Sequence, residues 1–204
     1  MVDRRIENIE VVQKTPLYEK FFKADEYSFK YPLFNGEMSS VVSREVMERG
    51  NAAGVLLYDP DREKLVFTEQ FRAGALAAGE YPWLLECAAG IIEPEEKPEQ
   101  VAVREVKEEV GATVLELEPI AGFFSSPGGT SEKIYLFCGR IDSSRVADYG
   151  GLPSENEDIR VVVLPVDEAE KMLTEGKFTN AMTIIAMQWF LMNKEKLRKK
   201  WGKS

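Results

Sequence analysis

The 204-residue chain contains no histidine. That excludes a Ser-His-Asp triad, a histidine-ligated zinc and an imidazole base, so proton transfer near neutral pH falls to a carboxylate. Cysteine is almost as scarce. Cys87 and Cys138 are the two present. Both sit in apolar, strand-like runs where buried free thiols are expected rather than a disulfide or a ligand pair. Basic residues are outnumbered, 26 Lys and Arg against 35 Asp and Glu, for a net charge of −9. A phosphate backbone or an anionic bilayer needs a basic surface, so neither nucleic acid nor membrane is an expected partner. Apolar runs approaching ~18 residues are missing. The start, MVDRRIENIEVV, has no signal-peptide core, and a cytoplasmic, reducing location is expected. There is no internal repeat and no low-complexity linker. The length suits one sizeable domain with a small appendage.

What the chain does have is acid concentrated in one place. Residues 90–112 read GIIEPEEKPEQVAVREVKEEVGA, with Glu105, Glu108 and Glu109 just before a glycine. On a helix these occupy i, i+3 and i+4, so all three carboxylates fall on one face within about 6 Å of axial rise. They also crowd the last turn, the negative end of the helix dipole, where each anion is disfavoured by up to about 1 kcal/mol. Like charges four apart add about 0.2 to 0.5 kcal/mol per pair. A solvated acidic face is one reading; a site for a divalent cation, which would reverse both signs, is the other. A hard, oxygen-ligated ion such as Mg²⁺ or Mn²⁺ suits these donors.

The flanks favour a docked helix. Pro98 suits the first helical position and Gly111 the left-handed stop, while Ala102, Val103, Val106 and Val110 make an apolar stripe beside the carboxylates. Arg104 precedes Glu108 by four residues and can pair with it. Gly90 follows the apolar run 83–89, where a strand should end and a glycine lets the chain turn.

Residues 1–46 alternate strand-like runs (6–12, 21–31, 38–46) with breaks at Thr15-Pro16 and Phe34-Asn35-Gly36, which predicts a three-stranded antiparallel sheet. Such a sheet needs something to pack on, its own domain or a second subunit. Residues 47–204 read as a larger mixed α/β unit. Strands are predicted at 53–58, 65–71, 83–86, 114–124, 133–138 and 159–164, with a hairpin turn at Asp59-Pro60-Asp61. Helices follow at 166–175 and about 180–199, the second ending in a basic tail read as solvated, dipole-matched helix end. Two loops carry open readings. SSPGGTSE (125–132) is either a plain turn cluster or a close approach to a ligand, and GGLPSENEDIR (150–160) is a solvated loop or a second source of carboxylates.

Gly90, five residues, Glu96, seven residues, then Arg104-Glu105-Val106-Lys107-Glu108-Glu109-Val110-Gly111 resembles the Nudix box, G-x5-E-x7-R-E-U-x-E-E-x-G-U with U aliphatic. Ala112 alone departs, at a packing position. Eight matched positions have a chance frequency of about one in a billion per starting point. The resemblance implies an α/β fold, the Nudix α/β/α sandwich with a mixed sheet, plus the small amino-terminal antiparallel sheet. It also implies Mg²⁺-dependent hydrolysis of a nucleoside diphosphate linked to another group.

Within that superfamily LFNGEMS, WLLE, SPGGTSE, ENEDIR and the MQW helix resemble the ADP-ribose pyrophosphatase branch nearly end to end. On matching positions that branch implies metal ligands at Glu105, Glu109, Glu157 and the Ala89 carbonyl, more than one Mg²⁺ (or Mn²⁺) per site, and Glu155 as catalytic base, with Glu108 its rival. The substrate pocket would draw on Arg72, Ile91, Ser126, Pro127, Gly128 and Glu132, and on Arg44, Glu45 and Arg49 near a homodimer boundary. Phe21 and Phe22 match an aromatic pair offered to adenine; as plain chemistry they serve equally as sheet core. The implied reaction cleaves ADP-ribose to AMP and ribose 5-phosphate. A GDP-mannose or other nucleotide-sugar hydrolase would share the box and both loops. A non-catalytic nucleotide sensor should have lost box carboxylates, which this chain keeps.

Overall fold

A computed structural model describes residues 5–202; residues 1–4 and 203–204, and the side chain of Glu155, lie outside what it describes. The first four residues of the expected amino-terminal start therefore lie outside it as well. The chain divides into two compact units, Met1–Asn51 with Phe124–Lys133, and Ala52–Phe123 with Ile134–Ser204.

In the first unit β1 (Glu10–Glu19), β2 (Lys23–Lys30) and β3 (Val42–Glu48) form the expected antiparallel sheet in that order. The strand limits differ from expectation. Thr15-Pro16 does not break the chain but lies inside β1, whose register slips at Val11/Gln13 and Pro16/Tyr18. β1 is an edge strand, and an edge with bulges tolerates a proline that cannot donate to a ladder. The turn comes later, where the Lys20 amide donates to the Phe22 carbonyl at 2.9 Å. Residues 125–132 lie against β3: the Met47 amide donates to the Gly129 carbonyl (2.9 Å) and the Ser131 amide to the Met47 carbonyl (3.2 Å).

The second unit is built on one mixed sheet. Its strands are β4 (Ala52–Asp59), β5 (Lys64–Phe71), β6 (Trp83–Glu86), β7 (Ala88–Ile91), β8 (Glu116–Phe124), β9 (Lys133–Arg140), β10 (Tyr149–Gly150) and β11 (Ile159–Pro165). They run in the order β10-β11-β5-β4-β9-β8, with β6 paired to β5 and β7 to β4. β4 and β9 are parallel. The helices are α1 (Ala73–Ala77), α2 (Pro98–Glu105), α3 (Val166–Thr174) and α4 (Ala181–Trp201). Successive residues of β4 face opposite ways, as a strand requires. Leu56 and Tyr58 bury against Phe190, Leu197 and Trp201 of α4 on one side. Val55 and Leu57 bury with Val101, Ala102, Val106 and Val110 on the other. Helices on both faces of a mixed sheet make the expected α/β/α sandwich. Asp59-Pro60-Asp61 turns between β4 and β5 as expected, and Cys87 and Cys138 are buried free thiols. The basic end of α4 is held by ion pairs from Lys194 to Glu170, Lys196 and Lys200 to Glu118, and Arg198 to Glu63.

Pro98 opens the helix, the Lys97 amide donates to Gln100 Oε1 (3.0 Å), and Gly111 closes it at φ +70°. The expected stripe shifts by one residue: Val103 is 45 % exposed, whereas Val101 is buried. Gly90 does not turn the chain. It lies inside β7, opposite Ala53 of β4. A β-carbon there would overlap the Glu105 carboxylate where it lies, so the glycine leaves room for that side chain.

The left-handed stop at Gly111 is the sharpest test of this architecture, since a methyl there is strained and also meets the Ala147 Cβ at 3.1 Å. Gly111→Ala should cost about 1–2 kcal/mol in urea unfolding. Val103→Lys should stay within about 0.5 kcal/mol of native.

Candidate active site

The helical period puts residues 101, 102, 105, 106, 109 and 110 on one side of the helix, so Glu105 and Glu109 lie in the core-facing stripe itself. Glu109 is 2 % exposed and Glu105 8 %. The helix widens into a π turn over Val106–Val110, so Glu109 lies in its irregular end and Glu105 in the residue just before it. π turns of this kind recur at functional sites. Burial, reinforced by the neighbouring Glu105 and Glu157 charges, pushes the Glu109 carboxyl up to about 8, and the Ala89 amide, donating to its Oε2 at 3.2 Å, opposes the shift only in part. Glu105 is likewise raised, mainly by burial. Glu109 so placed holds its proton through neutral pH unless a cation takes the proton's place.

One cation is already built in. The Arg104 guanidinium pairs with Glu105 Oε1 (2.7 Å), Glu108 Oε2 (3.1 Å) and Glu96 Oε1 (3.3 Å), and donates to the Ile91 carbonyl (3.4 Å). The expected Arg104–Glu108 pair is therefore present, as part of a larger knot. It joins the first and second halves of the box, with Glu96 also accepting from the Glu93 amide (3.1 Å).

The acidic loop is brought to the same helix end. The Gly151 amide donates to the Glu108 carbonyl (3.1 Å) and the Ala147 amide to the Val110 carbonyl (2.9 Å). Gly150 packs so tightly that a β-carbon would overlap the Glu109 carbonyl oxygen, and on Gly151, at φ +92°, a β-carbon would lie 2.8 Å from the Glu157 Cβ. Glu157 is held by the Leu152 amide, which donates to its Oε2 at 3.3 Å. Glu155 sits in the short turn Pro153–Glu155 of this loop, its side chain outside what is described. Sequence reasoning passed over Gly150 and Gly151. Adjacent glycines before an acidic loop were the available signal.

Arg72 leaves β5 next to this cluster, and its charge is felt at Glu109. It pairs with Glu86 at 2.8 Å. Ile91 closes β7, with its carbonyl on Arg104. Within the second unit the structure thus brings together Arg72, Ala89, Ile91, Glu105, Glu108, Glu109 and the loop bearing Glu157.

The other predicted site residues belong to the first unit. Phe21 and Phe22 are not sheet core: they sit on the β1–β2 turn, Phe21 80 % exposed, their rings edge to face at 5.0 Å. Arg49 lies 5.6 Å over the Phe22 ring and pairs with buried Glu132 (3.3 Å). Arg44 and Glu45 are exposed on β3, and Ser126, Pro127 and Gly128 are exposed in their loop.

The donors suit a hard divalent ion. They are carboxylate oxygens, and the cradle between β7 and α2 admits the Glu105 carboxylate only because residue 90 is glycine. Among the described residues no three carboxylates or thiols stand close enough to enclose an ion as they are, since Arg104 draws Glu105 and Glu108 to itself. No described helix is long and apolar enough to cross a membrane.

A family model for the NUDIX domain matches residues 48–183. An ADP-ribose pyrophosphatase of Escherichia coli (strain K12) is 43 % identical over 195 residues, covering 96 % of this chain and 93 % of its own length. One from Haemophilus influenzae is 41 % identical over 201 residues, covering 97 % and 93 %. A GDP-mannose pyrophosphatase of Pectobacterium atrosepticum is 34 % identical over 181 residues, covering 88 % and 92 %. A solved structure of an ADP compounds hydrolase shares the fold at TM-score 0.68 and 19 % identity, covering 98 % of this chain and 99 % of that one. With Glu105 and Glu109 of its box on one buried helix face and its relatives alike from end to end, the chain belongs to the Nudix family.

Proposed function

We propose that this Nudix hydrolase cleaves the diphosphate of ADP-ribose to AMP and ribose 5-phosphate. The observation that carries the reading is the buried Glu105–Glu109 pair, in a chain 41–43 % identical to ADP-ribose pyrophosphatases. Glu105, Glu109, Glu157 and the Ala89 carbonyl would hold Mg²⁺, with Mn²⁺ as substitute and more than one ion per site. Such ions would neutralise the diphosphate and acidify water.

The protein's own part is to orient and to move a proton. Arg72, which carries charge next to the carboxylates, would hold a phosphate oxygen. Glu155, on the loop packed against the helix end, would take the proton of the attacking water. Glu108 is pinned by Arg104 and supports the cluster instead. The backbone at Ile91, the loop residues Ser126, Pro127 and Gly128, and Glu132 would contact the nucleotide or the ribose. Phe21 and Phe22, exposed on their turn, would stack on adenine from a second copy of the chain, with Arg44, Glu45 and Arg49 beside that boundary. This assigns residues 1–46 to dimerisation and substrate contact, and 47–204 to catalysis, in a cytoplasmic homodimer. The 34 % identical GDP-mannose pyrophosphatase supports a second reading, the same chemistry on a different nucleotide sugar.

A product assay with Mg²⁺ on ADP-ribose, GDP-mannose, ADP-glucose and NADH at equal concentration tests the assignment. AMP and ribose 5-phosphate should be released fastest from ADP-ribose and not at all with excess chelator. Faster release from GDP-mannose would move the specificity, and no turnover of any substrate would remove the enzyme reading. For the base, Glu155→Gln should lower kcat by about two to four decades, and Glu108→Gln far less. The reverse ranking would make Glu108 the base.

A further inference from the structure

We propose that Glu86 and Asn180 are positioning residues that aim Arg72 at the substrate's diphosphate. The inference rests on the reading of Arg72 as a substrate contact. Glu86 is 2 % exposed and sits on β6 opposite Thr68 of β5. Its Oε2 accepts from Arg72 Nε at 2.8 Å and pairs with Arg72 Nη2, also at 2.8 Å. Its Oε1 accepts from Asn180 Nδ2, also at 2.8 Å. Both carboxylate oxygens are thus committed, and two nitrogens of the guanidinium are held at one of them. The backbone is fixed as well, because the Arg72 amide donates to the Pro82 carbonyl at 2.7 Å.

Among the described residues Arg72 Nη1 has no protein partner, and the side chain is 41 % exposed. One edge of the fork is occupied and the other is free. A planar cation held by one edge presents the other in a fixed direction, which is the arrangement that recognises a phosphate. The charge of Arg72 is felt at Glu109, so the guanidinium lies in the neighbourhood of the carboxylate cluster.

Asn180 has a second duty that explains its identity. It caps α4, its Oδ1 accepting from the Thr183 amide at 3.1 Å. Thr183 Oγ1 in turn accepts from the Cys87 amide, next to Glu86, at 3.1 Å. Serine or aspartate would cap that helix as well. Asparagine alone of these offers both the acceptor that caps α4 and an amide donor long enough to reach Glu86. The first turn of α4, far along the sequence from the Nudix box, is thereby tied to the orientation of one substrate-binding cation.

The test is a steady-state kinetic cycle on ADP-ribose with Arg72→Ala, Glu86→Gln, the double variant and Asn180→Ser, each with its Tm. Arg72→Ala and Glu86→Gln should each raise KM about ten- to a hundredfold with kcat within a few fold. The double variant should be no worse than Arg72→Ala, because Glu86 acts through Arg72. Asn180→Ser keeps the cap, so KM should rise about three- to tenfold with Tm near native. Effects that multiply in the double variant would overturn the inference. So would native KM in Glu86→Gln and Asn180→Ser beside an impaired Arg72→Ala, which leaves the substrate contact standing. Native KM in Arg72→Ala removes both that contact and this inference. If Arg72→Ala does not fold around an unpaired buried carboxylate, Arg72→Lys takes its place in the cycle, with the charge kept and the fork lost.

Discussion

Two like charges one helical turn apart on the buried side of a helix set the terms for the rest of the catalytic unit. At about 6 Å and an effective dielectric near 20, ionising both Glu105 and Glu109 costs about 3 kcal/mol in mutual repulsion, before desolvation is counted. Net stabilities of whole domains are only about 5–15 kcal/mol. The arrangement persists because a proton, an internal arginine or an external cation can relieve it. Arg104 relieves Glu105 from one side, and the raised proton affinity of Glu109 marks what remains unrelieved.

The surroundings follow from that constraint. β7 passes so close to α2 that residue 90 has no room for a β-carbon, and the acidic loop passes so close to the helix end that residues 150 and 151 have little more. These close approaches bring backbone amides and a further carboxylate, Glu157, to the cluster. The π turn and the left-handed Gly111 end the helix where the loop must cross it. On the opposite face of the sheet, α4 supplies the large side chains of the second core, and its first turn reaches back through Asn180 and Glu86 to Arg72. Packing on one side of the sheet and chemistry on the other meet in that single carboxylate.

Much of this was legible in the residues. The box spelled the helix, its proline start, its glycine stop and its Arg104–Glu108 pair, because all of these depend on spacing within a few residues. Strand periodicity gave most of the sheet for the same reason. What depends on distant neighbours was not legible. Gly90 reads locally as a turn, but it is a strand glycine that leaves room for the Glu105 carboxylate. Val103 reads as stripe, but the helix rolls so that Val101 faces the core and the glutamates lie in the stripe. Thr15-Pro16 reads as a break, but an edge strand with two bulges absorbs it. Phe21 and Phe22 could not be divided between core and surface until the β1–β2 turn was located. Glu86 carried no local signal beyond its place in WLLE, since its importance lies in partners 14 and 94 residues away.

On the proposed reading the Glu105–Glu109 face takes a divalent cation, which would stabilise the folded chain. The most direct measurement is the Tm of the native chain and of Glu109→Gln, each with and without millimolar Mg²⁺. The native chain should gain several degrees from the cation, as expected for a ligand bound to the folded state, and the variant should gain none. An equal gain in both, or no gain in the native chain, would contradict it.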